Sequence, residues 1–472
     1  MRRPQFQSGW QRRLVCAPVV MSLTALTLSA GVWAQDLQTF HEAALAHDPQ
    51  WLAARHALDA ARQRPGQARA ALLPQLTYTA TRNDQKGTLY FADEEPVPKD
   101  VQARTRGLEL TQGLIRPEQW MALRQAHAQE AQALAQYEAA RQQLSVRLVQ
   151  AYLDAWLAQE NVRLSAAQLK AYDAQLDLAQ RNYKVGTTTI SDVHEAQAQR
   201  DLGQAQAIAA NNELRTRVTE LQRLTGQVPT ALHGLREDAP SPLDDLAPLR
   251  QWLDLARQAQ PEVLMAQAAL QAAEREQDRY RAGLLPTVDL TLRKGTDRST
   301  GSITAPTDVP YRNRTTQAVL SLNWPIFEGG RSYYQLRESA ASLARAQAEV
   351  DLALGQASTA VRQAYAGLLS GRAQIQALLS ARTSSLKALE ASQVGYRIGT
   401  RINLDVLNAQ SQYANVQRDL ARARADVLMH WIRLHAAAGQ LGSESVATIN
   451  GWLHAKGTDV AADTFENFQE QQ

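Results

Sequence analysis

Residues 37–69 place apolar side chains at three- and four-residue spacing, which predicts a short helical stretch with one buried face. Leu72-Leu73-Pro74 stops it, since the residue before a proline resists the helical region. The spacing then falls to two. Leu76, Tyr78 and Ala80 share one face of a strand over 75–81, and a second alternating segment covers 101–114. A polar loop with Pro96 and Pro98 lies between them. From Glu118 the period returns to that of a helix and holds to Tyr183, with no proline between Pro117 and Pro229. Such a segment is about 100 Å long at ~1.5 Å per residue. A glycine stop at Gly186 precedes a second helix that starts near Asp192 and runs to about 225.

The same order then repeats. A helical stretch covers 249–281, and Leu284-Leu285-Pro286 stops it. Strands follow at 287–293, with Val288, Leu290 and Leu292 on one face, and at 316–324. The second long helix is expected over 331–396, a break at Gly399, and a last helix over about 403–438. Landmarks recur at an offset of 212 residues and, past the first strand region, of 213. Tyr152 matches Tyr365, Asp192-Val193 matches Asp405-Val406, and Gly226-Gln227 matches Gly439-Gln440. A constant offset over many landmarks reads as an internal duplication. The expected divisions are residues 1–34, a first unit over 35–247, a second over 248–455, and a polar tail over 456–472.

Composition narrows the class. The 472 residues carry 50 Lys and Arg against 47 Asp and Glu. Arg2, Arg3, Arg12 and Arg13 precede an apolar stretch from Leu14 to Val32, and Ala34 ends an Ala-x-Ala-like site. That is the pattern of a secretory signal peptide; Arg12-Arg13 leaves a twin-arginine route as the alternative. Its removal changes the formal charge from +3 to −1, so the basic balance is not a nucleic-acid footprint. Cys16, the one cysteine, lies inside that segment and suits neither a disulfide nor lipidation. No later run is apolar enough for a transmembrane helix.

Four strands in an exported chain pose a physical problem. Open edges invite aggregation in water and are forbidden in lipid, so the sheet needs partner copies to close. The fold class expected is therefore mixed α+β: a barrel completed between subunits and continued by long helices. A periplasmic helical protein with two ordinary hairpins is the alternative.

Several segments carry a family resemblance. These are Asp48-Pro49 with Ala71-Leu72-Leu73-Pro74, Gly283-Leu284-Leu285-Pro286, and 320–330 with its counterpart Leu110-Thr111-Gln112-Gly113-Leu114. The most specific is the run from Gly395 through Tyr396, Gly399, Arg401 and Asp405 to Leu407. In this order and at these lengths the chain resembles the non-lipidated branch of the TolC family of outer-membrane channel-tunnel proteins. The resemblance implies a homotrimer with one 12-stranded barrel in outer-membrane lipid, and a periplasmic helical barrel with a gated tip. It also implies a mixed belt formed by about residues 230–260 and the segment after Gly439. The expected partners are a periplasmic adaptor and an inner-membrane ABC exporter or proton-driven pump, with no cofactor and no metal.

The resemblance further assigns tip residues. Gate links between neighbouring helices would use Tyr396, Arg401 and Asp192, with Ser191 beside the last. Asp405 would form an acidic ring in the lumen. Asn408 stands where a second acidic ring is expected, which predicts weaker cation selectivity unless Glu195 compensates. The turns at Gly186 and Gly399 would receive the adaptor. Simpler readings exist for each: Asp192 with Glu195 makes a helix N-cap pair, Asn403 and Asp405 cap the last helix, Tyr396 packs in a core, and both glycines only end helices.

No catalytic constellation is present. His194-Glu195 opens like a zinc-protease motif, but Ala198 replaces its second histidine, and there is no nucleophile elbow or phosphate loop. The expected function is an export duct, for a protein toxin of the RTX type by type I secretion, with drug efflux or a poreless periplasmic scaffold as alternatives.

Overall fold

The prolines that punctuate the sequence also punctuate the chain. A computed structural model describes residues 36–90, 95–229, 232–235, 246–305 and 307–454. The signal segment, the polar tail and part of the belt region lie outside these residues. Three short helices open the chain: α1 (Leu37–His47), α2 (Pro49–Ala61) and α3 (Arg64–Ala70). One helical stretch was expected here, and Asp48-Pro49 and Pro65 divide it. Asp48 ends α1 with extended backbone, and its carboxylate caps α2 through the Trp51 N–H at 3.0 Å.

Next come β1 (Gln75–Leu89) and β2 (Val97–Ile115), then α4 (Pro117–Lys184) and α5 (Ile190–Thr225). A two-residue strand β3 (Gly234–Leu235) precedes α6 (Leu249–Ala259) and α7 (Pro261–Ala282), which Pro261 separates. The second half continues with β4 (Thr287–Ser299), β5 (Tyr311–Asn323), α8 (Arg331–Arg397) and α9 (Asn403–Ala437). It ends in α10 (Ser443–Trp452) and β6 (Leu453–His454). The order hairpin, long helix, shorter helix thus occurs twice.

The strands are longer than the alternation suggested. β1 runs eight residues past 81 and β2 starts four residues before 101, so most of the expected loop is ladder. Hydrophobic alternation disappears where both faces of a strand are wet, although the backbone hydrogen bonds continue. The four long strands form one antiparallel sheet in the order β1-β2-β4-β5. Its registers align Leu76 with Leu110, Leu110 with Leu292, and Leu292 with Ala318. One face therefore collects Leu76, Tyr78, Leu108, Leu290, Leu320 and their neighbours. The other collects Thr77, Thr79, Thr111, Thr291, Gln317 and Ser321. A bulge between Gly113 and Ile115 ends the regular β2–β4 pairing. Arg116 folds back over Gly113 there and reaches Asp289 at 2.7 Å; a Cβ at Gly113 would meet Arg116 Cδ at 2.7 Å.

The main core lies far from the sheet, where α1, α6 and α10 pack around the middle of α4 and the C-terminal end of α9. Phe40, Leu148, Tyr152, Trp252, Ile432 and Ile449 are buried in it. Asn450 ties α10 to the first helix: it accepts from Leu37 N–H at 3.1 Å and donates to Asp36 at 2.7 Å. β3 pairs with β6, which joins the ends of the two halves. The sequence pattern did not predict α10, β3 or β6, whose short lengths carry no periodic signal. No helix among the described residues is long and apolar enough to cross a membrane.

Candidate functional site: the paired helix tips and the exposed sheet

Two helix-turn-helix tips lie side by side. The α4–α5 turn ends α4 with Gly186 at φ +78°, and the α8–α9 turn ends α8 with Gly399 at φ +80°. Both are Schellman stops. Thr187 N–H donates to Asn182 C=O at 3.0 Å, and Thr400 N–H to Gly395 C=O at 2.9 Å. The left-handed backbone that this closure requires is why glycine stands at each position.

Thr189 is the N-cap of α5. Its hydroxyl accepts from Asp192 N–H at 3.3 Å, while Asp192 Oδ2 accepts from Thr189 N–H at 3.0 Å. The capping box is therefore Thr189 with Asp192, and the expected pair of Asp192 with Glu195 is corrected. The helix begins two residues earlier than the sequence suggested, which moves every cap position with it. Asp405 takes the equivalent place in α9 and accepts from Ile402 N–H at 3.3 Å. Its other partner is Arg401, 3.7 Å away and well exposed.

Within one chain, the three residues named for gate links go to three different partners. Tyr396 Oη accepts from Asn182 at 3.4 Å, Arg401 pairs with Asp405, and Asp192 pairs with Thr189. Ser191, Glu195 and Asn408 are exposed, and Asp405 is half-buried.

The residue that pins the tips together is Asn403. It is 1% exposed, accepts from Gln175 of α4, and donates to the Asp192 carbonyl of α5 at 3.3 Å. One side chain thus links three of the four tip helices. Its position at the start of α9 had suggested only a cap. Nothing in the sequence marks it, because its partners are 228 and 211 residues away. Around these polar contacts the turns present apolar residues to solvent: Val185 is 73% exposed, Ile398 70% and Ile402 61%.

At the sheet, both outer strands offer unpaired edges, and β1 and β5 are exposed along nearly their whole length. One face is apolar, and Trp324, Ile326 and Phe327 are exposed beside its helix-proximal end. This is a half-finished membrane surface: amphipathic, open-edged and attached to helices that are polar outside. Among the described residues, no group of three or more His, Cys, Asp or Glu side chains could hold a metal ion.

Comparison with known proteins agrees with this geometry. The family model described as outer membrane efflux protein matches residues 41–227 and 252–440. The alkaline protease secretion protein AprF of Pseudomonas aeruginosa is 30% identical over 436 residues, covering 88% of this chain and 87% of that protein. The outer membrane protein TolC of Escherichia coli is 27% identical, covering 92% of this chain and 88% of its own. Among solved structures, the outer membrane protein VceC of Vibrio cholerae superposes with a TM-score of 0.71 at 22% identity, over 86% of this chain and 97% of its own. The CmeC outer membrane channel of Campylobacter jejuni gives 0.72 at 17% identity, over 89% and 90%. The chain therefore belongs to the outer membrane efflux protein family, a family of channel proteins rather than enzymes, and is a TolC-like outer-membrane duct that extends through the periplasm.

Proposed function

We propose that three copies of this chain close one 12-stranded barrel and that the assembly exports protein by type I secretion. The carrying observation is the pair of unsatisfied edges, β1 and β5, on a sheet with one apolar face. Backbone N–H and C=O groups left unpaired in hydrocarbon cost several kcal/mol each, so the sheet cannot enter lipid alone. Twelve strands at ~4.8 Å spacing and ~40° tilt give a barrel roughly 24 Å across, wider than the eight-stranded size that side chains fill. The Thr-rich face then lines a wet lumen and the Leu-rich face meets outer-membrane lipid.

The tip is the gate in this reading. Arg401 is exposed and only loosely paired at 3.7 Å, so it can exchange Asp405 for a carboxylate of a neighbouring protomer. The α5 cap uses Oδ2 of Asp192, and Oδ1 has no partner among the described residues. Asp192 can therefore accept that link without giving up its cap. Three Asp405 carboxylates brought together at the tip would favour cations, and neutral Asn408 would add nothing to them. A periplasmic adaptor would dock on the apolar turns near Gly186 and Gly399, and an inner-membrane ABC exporter or proton-driven pump would drive the cargo. Protein cargo, of which an RTX-type toxin is one kind, is favoured by relatives named for protease secretion, AprF of Pseudomonas aeruginosa and PrtF of Dickeya chrysanthemi. The family model's own description, efflux, supports drug export as the second reading.

Single-channel current in a planar bilayer tests the conduit. The wild type should give a small cation-selective current, and Tyr396→Phe/Arg401→Ser should enlarge it. Absence of current from both, with dispersed monomers in detergent, refutes the duct. Reconstituting secretion of a reporter protein with a paired ABC exporter and adaptor separates protein cargo from drug efflux.

A further inference from the structure

The apolar face of the sheet ends in a row of like charges. In register across all four strands, Arg82 of β1 opposes Arg104 of β2, Arg104 opposes Arg298 of β4, and Arg298 opposes Arg312 of β5. Side chains alternate along a strand, so all four share the face of Tyr78, Leu108, Leu292 and Leu320. Arg106 and Arg314 lie one step nearer the apolar band on the same face. The opposite face at these levels carries Thr81, Thr105, Asp297 and Asn313, so the cationic excess is confined to one side.

The fold does not explain this row. Directly opposed like charges destabilise a sheet. Arg82 is relieved by Asp84 at 3.0 Å. Arg104, Arg106, Arg298, Arg312 and Arg314 are exposed, and none has an ion pair among the described residues. Five uncompensated guanidinium groups on a lipid-side face call for an external anion.

Their height says where that anion is. Twelve residues separate Trp324, at the helix-proximal end of the apolar face, from Arg312. At ~3.3 Å per residue and ~40–45° tilt, the row stands roughly 30 Å above the tryptophan, one hydrocarbon thickness. It is at the hairpin end of the sheet, away from the helices, which the duct reading places at the outer leaflet.

We propose that Arg104, Arg298 and Arg312, supported by Arg106 and Arg314, form a belt that binds phosphate groups borne on lipid headgroups of the outer leaflet. The chemistry is bidentate guanidinium–phosphate pairing at a low-dielectric boundary. The long arginine stems lie along the apolar band while their heads reach the phosphates. The inference rests on the duct reading for the orientation of the sheet.

The test uses the full chain purified from outer membranes and stripped of lipid in detergent. Binding of bisphosphorylated lipid A, the same lipid after phosphatase treatment, and inorganic phosphate is measured by native mass spectrometry. Wild type should bind the bisphosphorylated lipid about 100-fold more tightly than Arg104→Gln/Arg298→Gln/Arg312→Gln, at about five-fold per arginine. Wild type should also bind it far more tightly than the dephosphorylated lipid, a comparison that needs no variant to fold. Equal binding of the two lipids, or no loss in a folded variant, overturns the belt. Displacement of the lipid by low-millimolar inorganic phosphate shows a free-anion site and overturns the lipid assignment. A shifted reversal potential in the variant would place the arginines in the lumen and also overturns it. Wild-type current in a bilayer keeps the two claims apart: conduction without lipid discrimination removes only the belt, and no conduction removes the duct.

Discussion

Replacing Asn403 by alanine should loosen the tip without unfolding the protein. The side chain is fully enclosed and makes two polar contacts, one from Gln175 and one to the Asp192 carbonyl. Each hydrogen bond contributes about 1 kcal/mol net, and a buried partner left unsatisfied adds to that, so the loss is about 2–3 kcal/mol. The buried apolar residues of α4 and α5 near the tip, Leu176, Ala179 and Ala196, form a small cluster separate from the main core, so the cost stays local. Hydrogen exchange reads this directly. Amides 184–190 and 398–405 should exchange roughly 30- to 150-fold faster, since about 1.4 kcal/mol corresponds to tenfold, while those near Tyr152 keep their protection. Asn403→Asp is the sharper variant. It retains an acceptor for Gln175 but sets a carboxylate against the Asp192 carbonyl, and should open the tip at least as far. A change below three-fold in both turns would show that Asn403 does not hold the tips together.

Other perturbations follow from the core. Asp48 has a side chain 1% exposed, caps α2 and pairs with Arg147 at 2.8 Å. Asp48→Ala should cost about 2–3 kcal/mol, part cap and part stranded ion partner, measured as a lower denaturation midpoint. Tyr152 donates to His233 C=O at 3.1 Å and accepts from its N–H at 2.9 Å, and burial pushes its phenol above the ordinary value of 10. The unfolded chain loses that proton first, so stability should fall as pH rises past about 10. Tyr152→Phe should be less stable at pH 8 and should lack that alkaline slope in urea melts. His435 stacks on Trp431 at 3.7 Å and lies edge-on to Trp252 at 4.9 Å, and burial holds its basicity below the ordinary 6.5. The unfolded state binds the proton first, so stability should decline as pH falls below about 6.5. His435→Phe should flatten that acid limb, as followed by tryptophan fluorescence.

The alternation at 75–81 and 287–293 and the proline-free stretches after Pro117 and Pro325 were enough to place two hairpins and four long helices in order. These signals are local. A strand or helix half-buried along its length repeats its apolar residues at the period of its own backbone, and the chain needs no partner to display it. The helix stops were also legible, because the left-handed closure at Gly186 and Gly399 demands a particular residue type at a particular place. Strand ends were not: beyond Thr81 and Arg293 both faces are polar, and the ladder alone continues the strand.

The site divides in the same way. Tyr396, Arg401, Asp192 and Asp405 drew notice because they sit in recognisable runs. Asn403 drew notice only as a helix cap and Asn182 drew none, although the folded chain sets them against α4, α5 and α8. The row of Arg82, Arg104, Arg298 and Arg312 is equally invisible in one dimension, since its members lie on four strands as much as 230 residues apart. Sequence alone determined the main elements, their order and where the long helices stop, because periodicity and turn chemistry act between near neighbours. Only tertiary structure decided which polar groups meet, because register and helix pairing set those contacts and neither leaves a local signature.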